Sequence, residues 1–261
     1  MLHDEAVIEL HQFRYSHYNE KARWALAVKG AAHERVSYLP GPHSRLISKL
    51  SGQAQVPVLK VGTQVIAGSD KIIDFLEARY PLPRLWPEHE GARKRAADIV
   101  TFFDDEVGPC VRRAHFSTLV HEPAYLARMF AGNRSPASRF VYRWMLPLVR
   151  SKIERSMGLA AQSDIDRGFE VTQEAFDFVA REAGPTGYLV GGEFTVADLT
   201  AAALLAPAVD VQHKDMKRPR PMPASVKEWL DRWRDHAGAQ WVLGIYEKHR
   251  PASKVLVERR G

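Results

Sequence analysis

The chain has 261 residues, 45% of them hydrophobic, and a formal net charge of +6, enough for one large or two modest domains with buried cores. Both charge signs are dispersed, which excludes a disordered polyelectrolyte, and so modest a cationic excess gives no reason to expect a nucleic-acid partner. A single cysteine, Cys110, excludes an internal disulfide framework and any cysteine redox pair, and leaves an ordinary buried thiol as the expectation. No apolar run reaches spanning length, and Met1–Glu5 is acidic where a secretory leader is basic, so the cytoplasm is the expected compartment.

Residues 6–13 predict a first strand, and Asn19–Lys29 a helix stopped by Gly30. Arg35–Leu39 suits a second strand, broken by Pro40-Gly41-Pro42, with a short helix over 46–50. Val56-Pro57 then leads into Val58-Leu59-Lys60-Val61, and Gly62-Thr63 turns the chain into a partner strand. A proline that opens a strand donates nothing to the ladder, so it belongs at a strand start or edge. A cis bond there would turn neighbouring backbone groups outward, where they can pair with a peptide as a strand would. Ser69 opens an amphipathic helix to Arg79 carrying Ile72, Ile73, Phe75 and Leu76, and its hydroxyl joins the unpaired first-turn amides in an anion site. One module therefore offers both peptide pairing and carboxylate capture.

Pro81, Pro83 and Pro87 mark a boundary, so the expected domains are 1–83 and 84–261. Beyond it the spacing predicts helices over 92–120, 123–131, 136–157, 163–183, 195–209, 223–235 and 238–248, with kinks at Pro109 and Pro147 and a loop over 213–223. Thr195 and Asp198 have the spacing of a reciprocal cap. The following Ala201-Ala202-Ala203-Leu204-Leu205-Ala206 is apolar nearly all round, which predicts a buried helix. Between Arg128 and Arg155, seven cations (Arg128, Arg134, Arg139, Arg143, Arg150, Lys152, Arg155) accompany a single anion, Glu154, beside an apolar stripe of Phe140, Val141, Trp144, Met145, Leu148 and Val149. This suits a membrane-surface helix or an acidic-ligand patch. It equally suits a helix that buries its apolar side in its own core, the reading adopted here. The histidines show no metal-ligand spacing, so no metal is expected.

Three motifs carry a resemblance: Tyr15-Ser16-His17-Tyr18-Asn19-Glu20-Lys21-Ala22-Arg23-Trp24-Ala25-Leu26, the Val56-Pro57 hairpin with Gly68-Ser69-Asp70-Lys71-Ile72-Ile73, and Tyr188–Leu199. In this order the chain resembles the glutathione transferase superfamily over about residues 6–250. The resemblance implies an α/β thioredoxin-like N-terminal domain followed by an all-α C-terminal domain. It implies glutathione as co-substrate, a hydrophobic electrophile or peroxide as second substrate, and a cytoplasmic homodimer.

It also implies residue roles. Ser16, seven residues before Arg23, matches the catalytic hydroxyl of the family's serine classes, with Tyr15 and Tyr18 as competing donors. The classes that use a tyrosine near the end of the first strand have Gln12 in its place here. Gln55, Val56 and Pro57 match the segment that pairs with the cysteinyl part of glutathione, and Ser69 the hydroxyl on the γ-glutamyl carboxylate. His43 lies near the position of a histidine at the glycyl carboxylate. Gly68 stands where the family has glutamate or glutamine for the γ-glutamyl ammonium, a role left to Asp70 or to Asp104 or Asp105 of the partner subunit. Phe102, Phe103, Glu106 and Cys110 are the implied electrophile-pocket residues. The competing reading is a non-catalytic protein carrying an apolar or lipid-like ligand on the same scaffold.

Overall fold

A computed structural model describes residues 6–132, 134–184 and 186–261; the acidic Met1–Glu5 start lies outside the described residues. The chain forms two compact units, one running to Arg84 and taking back Arg250–Gly261, the other Leu85–His249. The first unit contains β1 (Ile8–Gln12), α1 (His17–Val28), β2 (His33–Ser37), α2 (His43–Ser51), β3 (Val58–Val61), β4 (Gln64–Ala67), α3 (Ser69–Arg79) and β5 (Val255–Arg260). Its sheet has the order β4-β3-β1-β2-β5. The β1–β2 pair is parallel, with Leu10 opposite Arg35, and β3 runs antiparallel to both β1 and β4.

The first seven elements follow the predicted β-α-β-α-β-β-α order of a thioredoxin-like domain. Helix α1 ends where Gly30, at φ 62, takes a conformation that favours glycine. It buries Trp24, Ala25 and Leu26, and α3 buries Ile72, Ile73 and Leu76. The last strand departs from the expectation that residues 84–261 form one helical domain. β5 pairs parallel with β2 and is mostly exposed. Polar links hold it: Ser37 Oγ donates to Glu258 Oε1 at 3.1 Å, and Arg259 pairs with Glu34 and with Glu9. A strand held by its ladder and by ion pairs leaves no hydrophobic period for sequence reading to detect.

The second unit contains α4 (Glu90–Phe102), a π turn at Phe103–Val107, α5 (Gly108–Leu119), α6 (Pro123–Ala131), α7 (Pro136–Leu148), α8 (Arg150–Met157), α9 (Gln162–Ala183), α10 (Val196–Leu205), a 3₁₀ turn at Ala206–Ala208, α11 (Ala224–Asp231) and α12 (Ala237–His249). The proline-marked kinks appear as the π turn just before Pro109 and as the α7–α8 break after Pro147. α5 packs closely on α9 because Gly168 has no side chain: a Cβ there would lie 3.0 Å from the Cys110 carbonyl oxygen. All ten residues of α10 are buried. Its N-terminus carries the predicted capping box. Asp198 accepts from the Thr195 and Leu189 amides, both at 2.8 Å, and the Thr195 hydroxyl accepts from the Ala197 amide at 3.2 Å. Beyond the other end of α10, Arg218 donates to the Pro207 and Val209 carbonyls, both at 2.6 Å, satisfying acceptors of the buried 3₁₀ turn and of the residue that leaves it.

One expectation is corrected in this unit. The apolar stripe of α7 is not in the core: Tyr142 and Leu146 are buried, whereas Phe140, Val141, Trp144, Met145 and Leu148 are exposed. Tyr142 and Leu146 lie together on the side of the helix opposite that stripe, so the more apolar side is the one left outside, which composition could not show. Among the described residues no helix is long and apolar enough to cross a membrane.

Candidate functional site

In the first unit, three chain segments converge on one hydrophobic cluster. Its buried members are Val36, Tyr38, Ile47 and Val58, and Phe13, Leu50, Val56 and Ala67 pack against them. Phe13 leads into the start of α1, Val56 precedes β3, and Ala67 precedes α3. The cluster thus ties Phe13, three residues before Ser16, to Val56 and to Ala67, the residue before Gly68, through apolar contacts.

Ser16 is the N-cap residue of α1, in extended conformation, and its hydroxyl makes no capping bond. The side chain is half-buried. A hydroxyl not used by its own helix, at the positive end of the dipole, can donate to an anion placed there. Tyr15 and Tyr18 flank it with other contacts: the Arg14 guanidinium lies over the Tyr15 ring at 5.9 Å, and the His17 ring packs against Tyr18 at 4.6 Å. Gln12 is buried, accepting from Arg23 Nη1 at 2.7 Å and donating to Ser37 Oγ at 3.2 Å, a structural role.

The peptide bond between Val56 and Pro57 is cis. Val56 lies just outside the β3–β4 ladder, which begins at Val58 opposite Ala67, and the Pro57 carbonyl accepts from the Gly68 amide at 3.1 Å. That bond joins the start of β3 to the turn entering α3. Gly68 has φ +106, a conformation that side-chain-bearing residues rarely adopt, and a Cβ there would sit 2.6 Å from Asp70 Oδ1. The Asp70 carboxylate therefore folds back over the glycine. Ser69 is buried at the first position of α3, and Gln55 is exposed.

His43 opens α2. Its Nδ1 accepts from the Gly41 amide at 3.1 Å and its ring meets Phe13 edge-on at 4.5 Å. Burial holds its pKa below the usual histidine value, which leaves the ring neutral at pH 7.

The remaining candidates lie in the second unit. Phe103 is fully buried, in ring contact with Phe102 and Phe178 at 5.4 and 6.0 Å. Glu106 is exposed and pairs with Arg167 at 3.3 Å. Cys110 is buried and desolvation raises its thiol pKa, so it is a weak nucleophile. Among the described residues, no group of three or more histidine, cysteine, aspartate or glutamate side chains could hold a metal.

Sequence reasoning missed what fixes the first turns of α1. Glu20, fully buried, accepts from Arg23 Nε at 2.7 Å and from Arg250 Nε at 2.8 Å, and the Arg250 guanidinium lies over Trp24 at 5.8 Å. The charged run Glu20-Lys21-Ala22-Arg23 at a buried helix start was a signal; its partner 230 positions away was not. Asn19 is also fully buried, and neither side-chain amide atom has a hydrogen-bond partner.

With this geometry established, sequence comparison settles the family. The family model described as glutathione S-transferase, N-terminal domain, matches residues 10–84, and that for the glutathione S-transferase C-terminal domain matches 162–239. The chain belongs to the glutathione S-transferase superfamily. Within it, the chain is similar to a maleylpyruvate isomerase from Ralstonia sp., 26% identical over 141 residues, or 53% of this chain and 63% of that relative. It therefore spans less than two thirds of that relative's length. Among solved structures, a glutathione S-transferase from Rhodospirillum rubrum F11 superposes with a TM-score of 0.61 at 21% identity, covering 93% of this chain and 89% of the other. A glutathione transferase from Phanerochaete chrysosporium with oxidized glutathione superposes with a TM-score of 0.62 at 17% identity, covering 95% and 92%. At such identities the superpositions establish a shared transferase fold alone.

Proposed function

We propose that the chain is a glutathione-dependent enzyme in which the Ser16 hydroxyl stabilises the glutathione thiolate for attack on a hydrophobic electrophile or peroxide. The observation that carries this reading is the half-buried Ser16 at the α1 N-terminus, its hydroxyl not used for capping. A thiol with a pKa of about 8.5 is mostly protonated at neutral pH, and lowering it by about 2 units takes roughly 2.7 kcal/mol, within reach of one charge-assisted bond plus a helix dipole. Ser16 keeps its proton throughout. The thiol proton leaves to solvent, and as the sulfur bonds to an electrophilic carbon either a leaving group departs with its electron pair or a π pair shifts onto the adjacent atom and is protonated. With a peroxide the O–O bond breaks to release an alcohol, and a second glutathione converts the sulfenic product to the disulfide and water. Transfer and isomerisation by addition and elimination share this thiolate, which suits a chain with relatives named for both.

Val56 would pair its peptide groups with the cysteinyl backbone, Gln55 would contact the same segment, and Ser69 would hold the γ-glutamyl carboxylate. Asp70, whose carboxylate folds over Gly68, would meet the γ-glutamyl ammonium from its own chain, the role otherwise left to Asp104 or Asp105 of the partner subunit. The neutral His43 would act near the glycyl carboxylate as a hydrogen-bonding group. Phe102, Phe103, Glu106 and Cys110 remain the proposed electrophile-site residues, with Phe102 and Glu106 the two that keep exposure. The same reading expects a homodimer in the cytoplasm.

Gly68 supports a second reading, a ligand carrier without glutathione chemistry, because the family's glutamate or glutamine is absent. Calorimetric titration of the ligand-stripped protein with reduced glutathione decides between them. Saturable binding in the micromolar to low millimolar range is expected of the enzyme, and no heat at cellular millimolar concentrations assigns the carrier.

A further inference from the structure

On a helix of 3.6 residues per turn, Phe140, Val141, Trp144 and Leu148 of α7 fall within one sector of about 100°. They are 63%, 62%, 66% and 82% exposed. The Phe140 and Trp144 rings pack against each other with centroids 5.9 Å apart, so the sector is one continuous apolar surface. Single exposed hydrophobic residues are ordinary, but a contiguous aromatic and aliphatic patch marks a contact surface. α8, which follows at once, buries no residue at all. Both helices lie in the stretch that separates the two family matches, 10–84 and 162–239.

The charges around the patch select its occupant. Arg139 and Arg143 border it on α7, and Lys152 and Arg155 follow on α8. No carboxylate pairs with Arg139, Arg143 or Lys152 among the described residues, and the one acid of this region, Glu154, is already held by Arg150 at 2.7 Å. A second copy of the chain meeting this face through a two-fold axis would set like charges against each other. The complementary surface is apolar in depth and anionic on top. That is an acidic bilayer, in which Trp and Phe sit at headgroup level, Leu inserts, and Arg and Lys reach the phosphates.

We propose that the exposed face of α7, with the basic residues that continue onto α8, docks on the surface of an anionic lipid bilayer, lying in the interface without spanning it. Nothing in this depends on glutathione chemistry. The test is co-sedimentation of the full chain with phosphatidylcholine vesicles, with and without phosphatidylglycerol, at low and high ionic strength. Binding is expected only to the anionic vesicles and should weaken with salt. Trp144→Ala with Leu148→Ala, and separately Arg139→Gln with Arg143→Gln and Lys152→Gln, should each lower the partition coefficient about tenfold or more. All these positions are exposed, so circular dichroism and melting should match wild type. Absence of wild-type binding to anionic vesicles at low salt overturns the proposal, as does binding that both variants retain in full. Light scattering that shows a wild-type oligomer split by Trp144→Ala with Leu148→Ala, with no vesicle binding, assigns the face to a second copy instead.

Discussion

At Ser16 one hydroxyl does the chemistry proposed for this chain, and one substitution isolates it. Ser16→Ala should raise the pKa of bound glutathione by roughly 1 to 2 units, the worth of one charge-assisted hydrogen bond. The readout is loss of ultraviolet thiolate absorbance at neutral pH, and an unchanged titration would move the role to Tyr15 or Tyr18. Gly68 separates backbone need from ligand need. With φ +106 and Asp70 Oδ1 2.6 Å from where a Cβ would stand, Gly68→Ala should destabilise by about 1 to 3 kcal/mol in denaturant titration. Asp70→Asn, at an exposed position, should leave stability alone and weaken glutathione binding about tenfold, the usual scale for one charged contact. Equal calorimetric affinities for wild type and Asp70→Asn would remove Asp70 from the site.

Among the elements, the capping box of α10 was legible because both halves of it sit three residues apart. What the sequence did not show is the burial of Asp198, which pushes its pKa up to about 6 against the hydrogen bonds that lower it. Its folded-state pKa is thus above the unfolded value of about 4. The native state holds more protons between these values, so the stability contributed by this carboxyl is complete below about pH 4 and is lost as pH rises through about 6. The stability of wild type relative to Asp198→Asn should therefore fall by up to roughly 3 kcal/mol across that window, followed by urea unfolding at stepped pH. A difference that grows with pH would show that the hydrogen bonds to Asp198 outweigh its burial and hold its pKa below the unfolded value. At neutral pH, Asp198→Ala should still cost on the order of 1 to 3 kcal/mol, because the Leu189 and Thr195 amides lose their acceptor. The opposite face of legibility is α7: its more apolar side, Phe140, Val141, Trp144, Met145 and Leu148, is the exposed one, and packing chose Tyr142 and Leu146 for the interior.

For the whole molecule, the return of Arg250–Gly261 to the first unit is the decisive feature. Arg250 and Glu20 are both buried and joined at 2.8 Å, so Arg250→Ala removes a buried partner of the Glu20 carboxylate and should cost about 3 to 5 kcal/mol, the range for breaking a buried pair. Because Glu20 sits one turn into α1, the same variant should loosen the helix start that carries Ser16. Truncation after His249 removes β5 as well and opens the β2 edge, an exposed template for other strands, so the truncated chain should aggregate on heating at lower temperature than wild type. A truncated chain with the wild-type midpoint and no added aggregation would show the last strand to be dispensable.

The sequence by itself determined the two-part architecture, the seven leading elements of the first unit and the buried α10 with its cap, because each rests on local spacing: alternation, helical period, caps and breakers lie within a few residues of one another. The family followed from the resemblance of its three motifs and from the family matches. It also placed Ser16, Val56-Pro57 and Ser69 in order along the chain. Only the tertiary structure decided that Gly68 holds a positive φ beneath Asp70, that Glu20 lies between Arg23 and Arg250, that Val255–Arg260 completes the sheet, and that Phe140, Trp144 and Leu148 face outward. Each of these depends on which distant surfaces meet or fail to meet, a choice made by packing free energy summed over the whole fold and not by any short window of the chain.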